Sequence, residues 1–232
     1  MARLQSDRWR FAGVLGVAAI LATFLVAASQ IGANDAKTTV SPQPVDSLFS
    51  GIEQQGIALG SPEAPVTLVE YADLQCPYCA QWARETLPVL VDEYVEAGKL
   101  RIVFRGLAFI GPDSDKALRT AIAAGQDDHL WELVHGLYAS QGAENSGWVT
   151  DGLVGEIVSG VPGLEGDKLL STRWGSSVEP ELRRAAAAAE RAGVHGTPAF
   201  QVGPTGGRLE LVDVSSLGPD GIRPSIDAVL AG

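Results

Sequence analysis

The chain has 232 residues, 46% of them hydrophobic, enough for one domain of roughly 150–200 residues with a buried core plus an appendage. Its net charge of −11 is unevenly spread: Arg3, Arg8 and Arg10 against Asp7 leave the first thirty residues at +2, so the remainder carries −13. That acidity confers solubility and argues against nucleic acid or anionic headgroups as partners of the soluble part, while 13 prolines and 27 glycines are too few and too scattered for a disordered or collagen-like chain.

Residues 1–10 form a short basic N-terminus. Residues 11–29 are almost wholly apolar and uncharged, and about 18 such residues just suffice to cross a bilayer as a helix. Signal-peptide cores usually run about 7–15 residues, so length favours an uncleaved transmembrane anchor over a cleaved signal, although Ala27-Ala28-Ser29 offers a small-residue cleavage site. Arginines before the run and none just after it place the N-terminus in the cytoplasm. Everything beyond residue 30 is then expected outside, in an oxidising compartment. This gives a single-pass protein of the cell membrane with an extracytoplasmic domain, or a secreted or periplasmic protein if the segment is cleaved.

Residues 30–50 are rich in Ser, Thr, Pro, Asn and Asp and read as a linker, followed by a domain over 51–232. Residues 56–59 suit a short edge strand, and residues 65–71 are apolar, β-rich and bounded by turn formers, the signature of a core strand. With a period of two, Glu70 shares a face with Val66 and Leu68. From Pro77, well suited to the first helical position, apolar residues recur at helical spacing. Pro88 should bend this helix and Gly98 end it. Leu100, Ile102 and Phe104 alternate as a second strand, which implies a right-handed parallel crossover.

Residues 113–192 read as helical almost throughout. The second of these helices, around Trp131, is expected to be capped by Asp127 or Asp128, and a last one ends at Gly193. Residues 199–202 and 209–212 flank a hairpin turn, and a short helix over 225–230 closes the chain. The fold class is therefore α/β with an inserted all-helical subdomain. Trp82, Trp131, Trp148 and Trp174 are expected in the core, and Asp73 is expected to cap or solvate the loop after the first core strand.

Cys76 and Cys79 are the only cysteines. Cys76 falls at the strand-to-helix turn, where unpaired N–H groups and the helix dipole favour thiolate and lower a thiol pKa from about 8.5 into the range ~3.5–7.5. Cys79 lies one helical turn inside as the resolving partner. A structural disulfide here would close a tiny loop of little entropic benefit. A zinc site needs four ligands, and His129, His135 and His195 are not spaced to supply them, so no metal is expected. Redox chemistry is the reading that remains, with no cofactor beyond the cysteine pair itself.

Glu70 followed by Cys76-Pro77-Tyr78-Cys79, the helical insertion, and Val194-His195-Gly196-Thr197-Pro198-Ala199-Phe200 together resemble the DsbA family of extracytoplasmic thiol-disulfide oxidoreductases. The lead-in Leu59-Gly60-Ser61-Pro62-Glu63-Ala64-Pro65 and the segment Leu130-Trp131-Glu132-Leu133-Val134-His135 resemble it too, so the match spans about residues 56–230. The resemblance implies a thioredoxin-like fold, a cis-proline at Pro198 beside the cysteines, and a backbone at Thr197 open to strand-like pairing with a substrate peptide. It also implies a buried Glu70 that accepts the proton of Cys79, against the alternative of a partly exposed strand glutamate. Pro77 and Tyr78 would tune the redox potential. His195 either faces the site, where it would help bind substrate, or is a solvated loop residue.

The function expected is donation of a Cys76–Cys79 disulfide to exported proteins as they fold, through a mixed disulfide. A quinone-coupled membrane protein would reoxidise the pair, and the chain would act as a monomer. The strong oxidants of that family carry histidine where this chain has Tyr78, and Cys-Pro-Tyr-Cys is also the glutaredoxin motif. A reductase or isomerase of the same fold, or a non-catalytic binding module, therefore stay open at this point.

Overall fold

The computed structural model describes residues 47–232. The expected membrane segment at 11–29 lies outside the described residues, and among those described no helix is long and apolar enough to cross a membrane.

A short 3-10 turn at Ser47–Phe49 opens the described chain. Its Phe49 is buried, with its ring 6.3 Å from Trp131 and 5.8 Å from His135. The polar composition around residue 49 suggests a linker, yet this one aromatic has a core slot to fill, so the packed chain starts a few residues before residue 51. Strands β1 (Gln54–Gln55) and β2 (Ala58–Leu59) form a small hairpin at the sheet edge. β3 (Val66–Ala72) is buried at every residue, the pattern of a central strand covered on both faces.

A broken helix follows: α1 (Pro77–Glu85), then α2 (Leu87–Leu90), which runs on into a π-helical turn at Val91–Val95. The break falls at Thr86, two residues before Pro88, whose ring and missing N–H disrupt the turn behind it. β4 (Leu100–Gly106) returns parallel to β3, and its burial alternates.

The insertion comprises α3 (Pro112–Gly125), α4 (Leu130–Ala139), α5 (Asp151–Ser159), α6 (Gly166–Thr172) and α7 (Glu179–Ala192). The chain then enters β5 (Ala199–Pro204) and β6 (Glu210–Val212) and closes with α8 (Pro219–Ala231). Strand order is β1-β2-β4-β3-β5-β6, with only the β3–β4 pair parallel.

The two faces of β3 serve two apolar clusters. Val66, Leu68 and Ala72 join the main core shared with α1, α3 and α4. Val69 and Tyr71 pack instead with Ala185 and Ala189 of α7 and with Val194. The last helix of the insertion is thus a cover for the sheet, and its alanines allow close approach.

Three local expectations need correction. The cap of α4 is His129; Asp128 takes a left-handed φ of 58° and its carboxylate accepts from the Gly56 N–H at 2.7 Å, tying the β1–β2 turn to the insertion. Trp174 is 55% exposed, lying under the guanidinium groups of Arg119 (5.1 Å) and Arg173 (5.9 Å); cation–π contact gives its ring a partner at the surface. The closing helix starts six residues earlier than its apolar spacing suggests. Pro219 suits its first turn, and Pro224, although inside it, removes only one main-chain bond near the start.

Candidate active site

β3 delivers the chain into a loop at residues 73–75, and Cys76 stands at the N-cap of α1 with an extended ψ of 120°. The loop is held from below by a carboxylate. Asp73 is completely buried and accepts four hydrogen bonds: from the Gln75 N–H (2.8 Å), the Ser114 hydroxyl (2.6 Å), and the Phe109 and Ile110 N–H groups (2.7 and 3.1 Å). It neither caps α1 nor meets solvent, because the two N–H groups of the β4–α3 loop have no strand or helix partner and take the carboxylate instead. The Asp73 carbonyl accepts from Cys76 N–H (3.0 Å) and from the Tyr138 hydroxyl (3.3 Å). Gln141 donates to the carbonyls of Leu74 (2.9 Å) and Cys76 (3.2 Å). Gln75 closes the frame against Ser114 and Asn145.

Four members of this frame, Gln75, Ser114, Gln141 and Asn145, escape the sequence reading. Only Ser114 lies in a helix, and Gln75, Gln141 and Asn145 stand in loops, where a polar residue carries no signal of burial. Truncation of Asp73 to alanine strands four donors, three backbone N–H groups and the buried Ser114 hydroxyl. At ~1 kcal/mol for each unsatisfied buried donor, Asp73→Ala should lower stability by about 4 kcal/mol in urea titration, with Asp73→Asn intermediate because it keeps an acceptor.

Cys76 is 5% exposed and Cys79 is fully buried, both as free thiols. The Cys76 thiol lies 3.3 Å from the Thr197 carbonyl oxygen. Its pKa is drawn well below the usual thiol range, to about 6, first because the Cys79 thiol donates to its sulfur, with the N–H groups of Cys79 and Tyr78 at the helix start adding to this against the opposing effect of burial. Burial pushes the Cys79 thiol strongly up, and the neighbouring charge of Cys76 adds to this. The two sulfurs thus have opposite preferences: Cys76 is a thiolate at neutral pH and Cys79 a thiol. Alkylation of the reduced protein should therefore label Cys76 first, with the rate rising as pH increases and half-maximal near pH 6, where an ordinary thiol would be half-maximal near ~8.5.

Glu70 is 2% exposed, so the partly exposed alternative does not hold. It sits in the sheet between Phe104 of β4 and Phe200 of β5, on the face with Val66 and Leu68. One carboxylate oxygen, Oε1, has no hydrogen-bond partner. Burial raises its pKa to about 8, with the Cys76 charge adding to the effect; its own charge acts on Cys79 and on Tyr138. At neutral pH the group is mostly a neutral acid beside the resolving cysteine.

The opposite wall comes from the segment before β5. The Thr197–Pro198 peptide bond is cis. Phe200 follows on β5, packed under Trp82 of α1 with ring centroids 5.1 Å apart. Pro77 and Tyr78 are exposed, Tyr78 at 62%. His195 is solvent-exposed and lines the open groove of about 560 Å³ over Cys76, together with Tyr78, Ile110, Glu144 and Thr197. The fold therefore brings Glu70, Cys76, Cys79, Thr197 and Pro198 to one place and sets His195 and Tyr78 on its rim. Among the described residues no three His, Cys, Asp or Glu side chains converge as metal ligands.

This arrangement has relatives. The thioredoxin family profile matches residues 53–206. The chain is 31% identical to a probable disulfide bond formation protein D of Bacillus anthracis, over 73% of this chain and 77% of that protein. The oxidised BdbD structure from Bacillus subtilis superposes with a TM-score of 0.67 at 21% identity, covering 78% of this chain and 98% of that one. Wolbachia pipientis α-DsbA1 superposes with a TM-score of 0.62 at 19% identity, covering 75% and 90%. With a thiolate-stabilised Cys-Pro-Tyr-Cys pair on a thioredoxin sheet, and the family profile matched across that sheet and the insertion, the chain belongs to the DsbA-like family of thiol-disulfide oxidoreductases.

Proposed function

We propose that the protein is an extracytoplasmic oxidant that passes the Cys76–Cys79 disulfide to exported proteins as they fold. The observation that carries this reading is the opposed pair of sulfurs. A Cys76 thiolate held at a helix N-terminus, with Cys79 buried behind it, stabilises the dithiol state over the disulfide and makes the disulfide a donor. The names of the Bacillus relatives, disulfide bond formation protein D, support the same direction.

In the oxidising half-cycle a client thiolate attacks Cys76 Sγ. The Cys76–Cys79 bond breaks, and Cys79 leaves with the electron pair, taking a proton from neutral Glu70. The client is now joined to Cys76. A second client thiolate attacks the client sulfur of that mixed disulfide and expels the Cys76 thiolate, already favoured at neutral pH. The client leaves with one disulfide and the enzyme with a Cys76 thiolate and a Cys79 thiol, two electrons having moved inward. Reoxidation reverses the bonds at the pair: the Cys76 thiolate attacks a disulfide of a quinone-coupled membrane protein and expels one of its cysteine sulfurs, then Cys79, its proton taken by Glu70, attacks Cys76 and expels the partner's other sulfur, so that the partner leaves as a dithiol carrying both electrons. Thr197, open at its backbone, would align the client strand, and Pro198, which lacks an N–H, keeps that edge free of a competing donor.

The apolar segment at 11–29 would hold the domain at the outer face of the membrane, with the chain monomeric. The reductase reading draws on one feature, the uncharged Tyr78 beside Cys76 where a cation would stabilise the thiolate further. Mixing the oxidised protein with a reduced, unfolded client separates the two: stoichiometric appearance of client disulfides is expected, and a client that stays reduced contradicts the proposal.

A further inference from the structure

The groove over Cys76 has one acidic side chain in its lining, Glu144, from the loop between α4 and α5. That loop is mounted on the redox site itself. At its start Gln141 donates to the Leu74 and Cys76 carbonyls. Asn145, at a left-handed φ of 54°, gives its N–H to Gln75 Oε1 (2.6 Å) and its side-chain amide to the Ile110 carbonyl (3.1 Å). Asparagine accepts that backbone shape better than most residues. Gly111 lets it seat, since a Cβ there would stand 2.2 Å from the Asn145 side-chain oxygen. The Gly147 N–H ends the loop on the Asp113 carboxylate (2.8 Å). Glu144 therefore stands in the middle of a segment fixed at three points.

Glu144 itself is exposed and, among the described residues, has no ion-pair partner. Its neighbours along the groove include Pro77, Phe109, Ile110 and Val194, and apolar walls focus the field of a charge. A client attacks as a thiolate, so it brings a second negative charge to a groove that already displays one. A cation beside the client sulfur offsets both. In an extended strand the residues two before and two after a cysteine share its face. A lysine or arginine there stands over the same groove, and its long stem can lie along the apolar wall while its charge reaches the rim.

We infer that Glu144 is a specificity determinant that favours clients with lysine or arginine two residues from the reactive cysteine and disfavours those with an acidic residue there. The inference rests on the oxidant reading above and deepens it by naming the charge class of the client. Charge complementarity of this kind acts on encounter and partner choice more than on final affinity, so it shows in the rate of disulfide transfer. The net negative charge of the domain acts in the same direction from further away, and the test separates the two.

The test uses two dithiol peptides that differ only in carrying lysine or glutamate two residues from each cysteine. The quantity read is the ratio, lysine over glutamate, of second-order rate constants for their oxidation by pre-oxidised protein. A basic neighbour also makes a peptide thiol more acidic, but that advantage is the same for every variant, as are Cys76, Tyr78 and His195 in the groove. The wild-type ratio is expected to exceed that of Glu144→Gln by about fivefold, the upper range for an exposed charge pair. The two ratios should converge in about 1 M salt, where the Debye length is ~3 Å. Glu144→Lys should carry the ratio below that of Glu144→Gln. Glu156→Gln, which removes an exposed acid from α5 outside the groove, should keep the wild-type ratio. Each ratio is taken within one preparation, so a partly misfolded sample does not shift it. Equal ratios in wild type and Glu144→Gln overturn the inference. So does an equal fall in Glu156→Gln, which would assign the preference to the charge of the whole domain. Failure of the parent reading shows separately, as pre-oxidised wild-type protein that oxidises neither peptide, and it takes this inference with it.

Discussion

Cys76→Ser is expected to abolish disulfide transfer, by more than about 10³-fold, whereas Cys79→Ala keeps the attacking sulfur and accumulates clients bound to Cys76. The asymmetry follows from burial and charge. Cys76 sits under the open groove with its sulfur held as thiolate to about pH 6, so it alone meets client sulfur. Cys79 has no exposed surface and a strongly raised pKa, so its work is confined to resolving the bond at Cys76. Serine at 76 cannot form that bond. Without Cys79, the mixed disulfide loses its internal escape route and persists until a second client thiol reaches it. Non-reducing gels of cells expressing each variant check this directly. Complexes with Cys79→Ala and none with Cys76→Ser are the expected pattern, and complexes formed equally by both single variants would contradict the assignment.

Glu70→Gln should make the reduced protein more stable and a slower catalyst. A carboxyl whose folded pKa is raised to about 8 contributes stability that is fully present below the unfolded value, near 4.5, and that is lost as pH rises through 8. Over that window the wild type loses on the order of 5 kcal/mol, at ~1.4 kcal/mol for each tenfold change in proton affinity. Glutamine has the same shape and no titration, and the contribution of Cys76 to the pH profile is largely common to both proteins. The stability difference between them should therefore be small at pH 5, widen steadily to about pH 8 and level off above it. Turnover should fall by about 10²-fold, the lower end for a lost proton-transfer group, because Cys79 then exchanges its proton without Glu70. Urea unfolding of both reduced proteins across that range tests the account, and a difference that does not grow with pH would place Glu70 outside the proton path.

What could be read from the sequence was whatever the chain encodes locally. Residues 65–71 look like a strand because seven residues carry the pattern, and the Cys-Pro-Tyr-Cys turn carries its chemistry in four. The position of Glu70 on the face of Val66 and Leu68 needed only a period of two, and the strand bears it out. Its burial required knowing that Phe104 and Phe200 flank it, one 34 and the other 130 residues away. The frame beneath the active loop was invisible for the same reason. Asp73 meets its partners 36 to 41 residues further on, and nothing local separates a buried acceptor from a solvated turn residue. Trp174 misled in the opposite sense, since a large ring normally signals core, and here two arginines hold it at the surface.

The central claim is that the dithiol is the favoured state of the pair and the disulfide is therefore given away. The equilibrium with glutathione measures that most directly. A Cys76 pKa near 6 lies about one unit below the ~7 of thioredoxin and well above the ~3.5 of DsbA, and a tenfold change in the two-electron equilibrium is about 30 mV. The potential should consequently fall between about −240 and −180 mV, more oxidising than the ~−270 mV of thioredoxin and short of the ~−120 mV of DsbA. That range suffices to form structural disulfides, which lie below about −300 mV. A potential at or below about −270 mV would contradict the account and turn the electron flow around.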